Sequence, residues 1–191
     1  MEVKHLGHDH LRYMEKMDQS MLEELMRDYG HDVWNFSFFL TKNHVLADDI
    51  TQDTFIQAYR HVAGYRGEAS VKTWLLRITR NISYNYMKSA FIRKVFLFGL
   101  ASSNETSRSA EDAFLEKEAA NEVWRQVFAL PTKLRETLVL HAKYQLSIQE
   151  ISNVLQIPEG TVKSRLFTAR KMITKSLEGV DRSEVNETKL V

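Results

Sequence analysis

The feature that most narrows the fold is a spacing. Apolar residues recur every three or four positions along almost the whole chain, and only 7 glycines and 2 prolines interrupt them. At 3.6 residues per turn that spacing collects the apolar side chains on one stripe of a helix, whereas a half-buried strand needs strict alternation. The chain is therefore predicted to be all-α. Its N-terminal half holds three such patterns. The first carries Leu22, Leu25, Tyr29, Val33, Phe36 and Leu40, the second runs over 47–61 and the third over 71–88. Trp34 and Trp74 are the expected core anchors of this half.

The pattern stops at SSNETSRSAED, residues 102–112, where apolar content almost vanishes and side chains that compete with helical hydrogen bonds accumulate. A linker is predicted there, so the chain divides into two small helical domains joined by a flexible segment. The expected division is a first domain over 17–92, a linker over 93–112, a second domain over 113–178 and a frayed polar tail over 179–191. With 43% hydrophobic residues the chain can give each domain a core. Just before the apolar-poor stretch 102–112, Phe91, Val95, Phe96 and Phe98 either complete the first core or dock a partner.

The second domain opens with an acidic helix in which Leu115, Ala119, Val123 and Val127 share a face, beside Trp124 and Phe128, and a second helix follows Pro131. Ser147 and Glu150 then form the S-x-x-E capping box, in which each side chain satisfies an orphan amide at a helix start. Ile148, Ile151 and Leu155 make that helix one-sided. It is predicted to end at Gln156-Ile157, and Pro158 suits the opening of the next, where its missing amide hydrogen is harmless. Two short helices joined by a tight turn are a helix-turn-helix.

Winding the second member of the pair places Val162, Leu166, Ala169 and Ile173 on a core stripe and Gly160, Ser164, Phe167, Lys171 and Lys175 opposite it. Lys163 and Arg170 flank that outer face on one side, Thr168 and Arg165 on the other. Solvation alone accounts for exposed cations, but a solvated face gains nothing from a phenylalanine. A thymine methyl or sugar in a major groove would give Phe167 a partner while the cations meet phosphates and guanine edges. The whole chain has 26 basic and 25 acidic residues, a net charge of +1, so any nucleic-acid footprint must be local.

These residues support a resemblance. IPEGTVKSRLFTARK, preceded by LSIQEIS and ALPTKLRETL, resembles the fourth conserved region of bacterial sigma-70-type factors in their extracytoplasmic-function (ECF) form. Independently, ADDITQDTFIQAYRH resembles the second region's core-binding helix, and YRGEASVKTWLLRITRNISYNYMK resembles the segment that opens promoters. Both blocks stand in family order over 21–178. The resemblance implies a sigma region 2 helical bundle and a sigma region 4 helix-turn-helix. It further implies a non-enzymatic factor that lends RNA polymerase promoter specificity.

The resemblance also implies residue roles. Lys163, Ser164, Arg165, Phe167, Thr168, Arg170 and Lys171 would read the minus-thirty-five element as duplex, with Thr168 standing where many relatives carry arginine. The loop Arg66, Gly67, Glu68, Ala69 and Ser70 would pocket a flipped base of the minus-ten element. Arg77, Asn81, Tyr84, Asn85 and Lys88 would hold the separated strand, by amide hydrogen bonds, stacking and phosphate contacts. Opposite them Val71, Trp74, Leu75, Ile78, Ile82 and Tyr86 form the expected apolar face. Asp48, Asp49, Gln52, Asp53, Phe55 and Gln57 would meet the clamp helices of the polymerase's largest subunit. The implied partners are core polymerase, including the flap of the second-largest subunit, promoter DNA and an anti-sigma factor tethered to the membrane.

Other classes find less support. No cysteine is present, which removes disulfides and thiolate metal sites and suits a reducing compartment. Residues 1–10 lack the apolar core of a signal peptide, and no apolar run approaches the roughly 18 residues of a membrane span. A cytoplasmic protein is expected. His5, His8 and His10 lack a fixed geometry for a metal, and no nucleophile–base pair or phosphate-cradling glycine loop stands out. No cofactor or metal is therefore expected, and no enzymatic activity. Two rivals remain: a self-sufficient helix-turn-helix regulator, which would bind duplex DNA alone, and a helical scaffold that binds none.

Overall fold

The computed structural model describes Leu11 and residues 16–97 and 122–187, with side chains described at 11, 16–89 and 123–177. Among the described residues seven α-helices form two compact units, one built on α1–α3 and the other on α4–α7. The linker over 102–112, Leu115, Ala119, Phe98 and the three N-terminal histidines lie outside the described residues.

In the first unit α1 spans Gln19–Thr41 and α2 spans His44–Arg60. Asp18 caps α1 by accepting from the Met21 amide at 2.8 Å, and Asn43 caps α2 by accepting from the Leu46 amide at 2.9 Å. Only two residues separate the helices. Lys42 takes a left-handed conformation (φ 56°) and donates its amide to Phe38 O, which closes α1 and reverses the chain. After a short 3-10 turn at Val62–Gly64, α3 spans Val71–Leu97. The core joins Leu25 and Val33 of α1, Phe55 and Ala58 of α2, and Val71 and Leu75 of α3, with Val62 and Tyr65 from the connection. Lys72 on α3 pairs with Asp32 on α1 at 2.8 Å.

The buried side of α3 differs from the predicted one. Val71 and Leu75 are buried as expected, but Trp74, Ile78, Ile82 and Tyr86 are only half-buried, and Thr73, Leu76, Thr79 and Ser83 lie inside. Hydroxyl chemistry explains this. Thr79 Oγ1 donates to Leu75 O at 2.8 Å, Ser83 Oγ to Thr79 O at 2.8 Å, and on α2 Thr54 Oγ1 to Ile50 O at 2.7 Å. Each group satisfies itself on its own helix and then packs as a small apolar one. Thr54 and Thr79 meet across the seam at 3.5 Å between hydroxyls. Backbone helix continues to Leu97, beyond the expected end at residue 88, and carries Phe91, Val95 and Phe96.

The second unit comprises α4 (Glu122–Ala129), α5 (Thr132–Ala142), α6 (Ile148–Leu155) and α7 (Glu159–Glu187). Arg135 is 3% exposed, and its guanidinium donates to Phe128 O at 3.1 Å and Leu130 O at 2.8 Å. A cation thus closes the last carbonyls of α4 from the first turn of α5. Val127 and Phe128 are buried, while Val123 is exposed despite sharing the expected apolar face.

Both predicted capping bonds of α6 are present: Ser147 Oγ accepts from the Glu150 amide at 3.2 Å and the Glu150 carboxylate accepts from the Ser147 amide at 2.9 Å. At the other end Gln156 is left-handed (φ 53°, ψ 48°), a conformation that costs a non-glycine residue about 1–2 kcal/mol. Pro158 O accepts from the Thr161 and Val162 amides, so the proline caps α7 immediately before its first residue. α7 runs past Gly179 to Glu187, since one glycine costs a helix only about 1 kcal/mol and no proline follows it.

Candidate nucleic-acid interfaces

The outer face of α7 emerges as predicted. Val162, Leu166 and Ala169 are buried, Ile173 is half-buried, and Phe167 is 69% exposed among Lys163, Ser164, Arg170 and Lys171, all exposed. Lys163, Phe167 and Arg170 border one hollow of about 260 Å³, together with His141 and Ile148. An apolar ring between two cations beside a shallow hollow suits a polyanion that also offers methyl or sugar surface. Thr168 is exposed, and its hydroxyl donates to Ser164 O at 2.9 Å. With its proton engaged on its own helix, the Thr168 side chain offers a partner its methyl group and a hydroxyl oxygen that can only accept.

Arg165 departs from the expected outward role. Its Nη1 donates at 3.3 Å to Glu136, which is wholly buried at the middle of α5, and its side chain is only 17% exposed. An uncompensated buried carboxylate would be costly, so the guanidinium is drawn inward, where it fixes α7 on α5. The pair spans 29 residues of sequence, and no local pattern announces it.

In the first unit the exposed row of α3 holds Arg77, Asn81, Asn85 and Lys88, at intervals of four, four and three residues. Tyr84 does not stand free beside them. It is half-buried, and the Arg80 guanidinium lies 4.7 Å from its ring centroid, so one face of the ring is already covered. Of the loop, Arg66, Gly67 and Glu68 are exposed, and Gly67 holds a left-handed φ of 72° that suits glycine. Ala69 O accepts from Tyr65 Oη at 2.7 Å, which ties the loop to the core. Ser70 serves α3 as its N-terminal cap: its hydroxyl accepts from the Thr73 amide at 3.1 Å and lies 2.9 Å from the Thr73 hydroxyl.

The residues expected on the outer face of α2 separate. Asp49 and Gln52 are exposed. Asp48 is exposed too, but accepts from Trp34 Nε1 at 2.7 Å, which explains why the half-buried Trp34 sits at the edge of the core. Asp53 is half-buried and accepts from Tyr86 Oη at 2.8 Å, a bond from α2 to α3. That bond, followed by burial and the charges of Asp53 and Asp49, raises the Tyr86 pKa above the usual 10.0. Phe55 is a correction: at 2% exposure it belongs to the core and offers a partner no surface. Because α2 packs against both α1 and α3, its buried stripe is wider than that of a helix covered on one side.

Gln57 is the last of this set, and it opens elsewhere. With His61 and Gly64 it borders a groove of about 390 Å³ whose other side is Trp74, Ile78, Asn81, Ile82 and Asn85. His61 stands just past the end of α2 and closes it by donating its amide to Gln57 O at 3.0 Å, which keeps the two residues together at that end of the helix. Among the described residues no group of three or more histidine, cysteine, aspartate or glutamate side chains could hold a metal. None of the described helices is long and apolar enough to cross a membrane.

Comparison with known proteins covers both units. Residues 25–90 match the Sigma-70 region 2 family and residues 120–173 match Sigma-70, region 4. The chain is 30% identical over 174 residues to RNA polymerase sigma-H factor of Pseudomonas aeruginosa, an alignment that spans 86% of this chain and 90% of that one. It is 31% identical over 179 residues to ECF RNA polymerase sigma-E factor of Salmonella typhimurium, spanning 88% and 93%. Among solved structures the fold is similar to the sigma factor RpoE of Bartonella quintana, crystallised with the anti-sigma factor NepR. The TM-score is 0.66 at 21% identity, over 84% of this chain and 98% of that one. It is also similar to CnrH in complex with the cytosolic domain of CnrY, with a TM-score of 0.63 at 20% identity over 89% and 94%.

Proposed function

Because the chain belongs to the sigma-70 family, as an ECF sigma factor serving transcription initiation, we propose that it grips promoters at two places, one on each unit. Members of the family are initiation factors rather than enzymes. The observation that carries the two-part reading is the exposed Phe167 between Lys163 and Arg170, on a helix that follows a capped partner by a tight turn. The α7 face made by Lys163, Ser164, Phe167, Thr168, Arg170 and Lys171 reads the minus-thirty-five duplex. Arg165 acts behind it by positioning α7 through Glu136.

The α3 row of Arg77, Asn81, Asn85 and Lys88 takes the non-template strand of the minus-ten element as it separates. The amides offer donor and acceptor to a base edge, and the cations at either end of the row offer phosphate contacts. Arg66, Gly67, Glu68 and Ala69 supply the base-pocketing loop. Asp48, Asp49 and Gln52, exposed on α2, meet the clamp helices of core polymerase. In the second unit an apolar groove lined by Val123, Trp124, Leu138, Ala142 and Ile173 supports docking of the polymerase flap. Acting with core polymerase places the protein in the cytoplasm, without cofactor or enzymatic activity of its own. The sigma–anti-sigma complexes among its structural relatives support an anti-sigma partner for this chain as well.

The test is reconstitution. Added to purified core polymerase, the protein should give initiation from a defined promoter set, obtained by mapping transcript starts after induced expression. Asn81→Ala and Asn85→Ala should impair opening more than closed-complex formation. No gain in specific initiation would overturn the reading.

A further inference from the structure

The groove between α2 and α3 has a composition that a core crevice does not need. Its floor is Trp74 and Ile78, both half-buried. Asn81 and Asn85 form one wall from α3, and Gln57 from α2 with His61 from the cap that follows it form the other. No carboxylate lines it, although α2 carries Asp48, Asp49 and Asp53 within its length. A volume of about 390 Å³ falls in the range of small-ligand sites, roughly 300–1,000 Å³. An indole floor with amide and imidazole walls matches a flat, apolar-faced ligand with a hydrogen-bonding rim.

We infer that this groove takes one unpaired nucleobase of the non-template strand, and that Gln57 and His61 select which base by reading its edge from the side opposite Asn81 and Asn85. The inference rests on α3 being the strand-separating helix. Arg77 and Lys88, at the ends of the exposed row and about 16 Å apart along α3, hold phosphates of the strand beyond either end of the groove. Base–aromatic stacking strengthens binding roughly five- to hundredfold per base and does not discriminate strongly among bases. Selection therefore falls to the wall groups, whose unmatched hydrogen bonds penalise the wrong edge. Gln57 thereby moves from the polymerase face, where its sequence neighbours placed it, to the DNA face.

The experiment uses the full chain bound to core polymerase and fork-junction DNA carrying a promoter from the mapped set. All four bases are tested at each unpaired non-template position. Gln57→Leu and His61→Ala should each flatten the preference at one and the same position, from about tenfold or more to under twofold. Other positions and the affinity for core polymerase should stay as in the parent protein. Preference unchanged at every position would overturn the inference, and so would a Gln57→Leu defect confined to core affinity. If Asn81→Ala slows opening while the Gln57 and His61 variants read like the parent, the groove assignment alone fails. If Asn81→Ala and Asn85→Ala are also silent, the strand-separating role of α3 fails with it.

Discussion

Replacing Glu136 with alanine should destabilise the second unit by about 3 kcal/mol while leaving the first unit untouched. Glu136 is wholly buried and meets Arg165 in a 3.3 Å ion pair. Removing one partner of a buried pair costs roughly 3–5 kcal/mol, because the remaining charge is stranded. Two features place this case at the lower end. Arg165 keeps 17% of its side-chain surface, through which water can partly resolvate it. The contact is also longer than the roughly 2.7–2.9 Å of a tight charge-assisted bond.

The three tryptophans make the assay selective, since Trp34 and Trp74 lie in the first unit and Trp124 in the second. With a urea slope of about 1.5 kcal/mol per M, the transition reported by Trp124 should fall by about 2 M. Combining Glu136→Ala with Arg165→Met should restore part of the loss, because the double variant no longer strands the Arg165 guanidinium. A midpoint shift below about 0.5 M, or effects of the two substitutions that simply add, would refute the argument that the pair holds α7 on α5.

Other outcomes follow from the same geometry. Phe167→Ala should change stability by less than about 0.5 kcal/mol, given its exposure, yet lower initiation at promoters that depend on the minus-thirty-five element about tenfold in a reconstituted transcription assay. Gln156→Gly should relieve about 1–2 kcal/mol of left-handed strain against roughly 0.5–1 kcal/mol of added unfolded-state freedom, raising the second unit's thermal midpoint by about 4 °C in a melting curve. Tyr86 has a raised pKa in the fold, so its contribution is fully present below pH 10.0 and is lost as pH rises through the folded value. Alkaline titration of stability should therefore show a loss above pH 10 in the first unit, and Tyr86→Phe should flatten that limb.

Much of this architecture is legible in the sequence because its signals are local. Ser147 and Glu150 announce a helix start within four residues, and the stripe Val162, Leu166, Ala169 places Phe167 outside without any tertiary knowledge. What escaped depends on partners distant in sequence. Arg165 reads as one more surface cation until Glu136 is brought beneath it from 29 residues away. Phe55 reads as a surface apolar residue until α2 is seen to be covered on two sides. Thr73, Thr79 and Ser83 read as polar until their hydroxyls have somewhere local to go, Ser70 Oγ for Thr73 and the preceding turn's carbonyls for the other two. Gln57 looks like its acidic neighbours until α3 supplies the opposite wall of a groove.

The hydroxyl seam between α2 and α3 has a further meaning for how such a chain can change through descent. Thr54 and Thr79 set the distance between the two helices, and neither tolerates an added methylene without pushing them apart. Gln57, Asn81 and Asn85 on those same helices, and His61 just after α2, border the open groove beside them. Rim residues are therefore free to drift, one at a time, across a gauge that stays fixed. Under the reading proposed for that groove, paralogues could diverge in promoter taste while sharing an unaltered ruler.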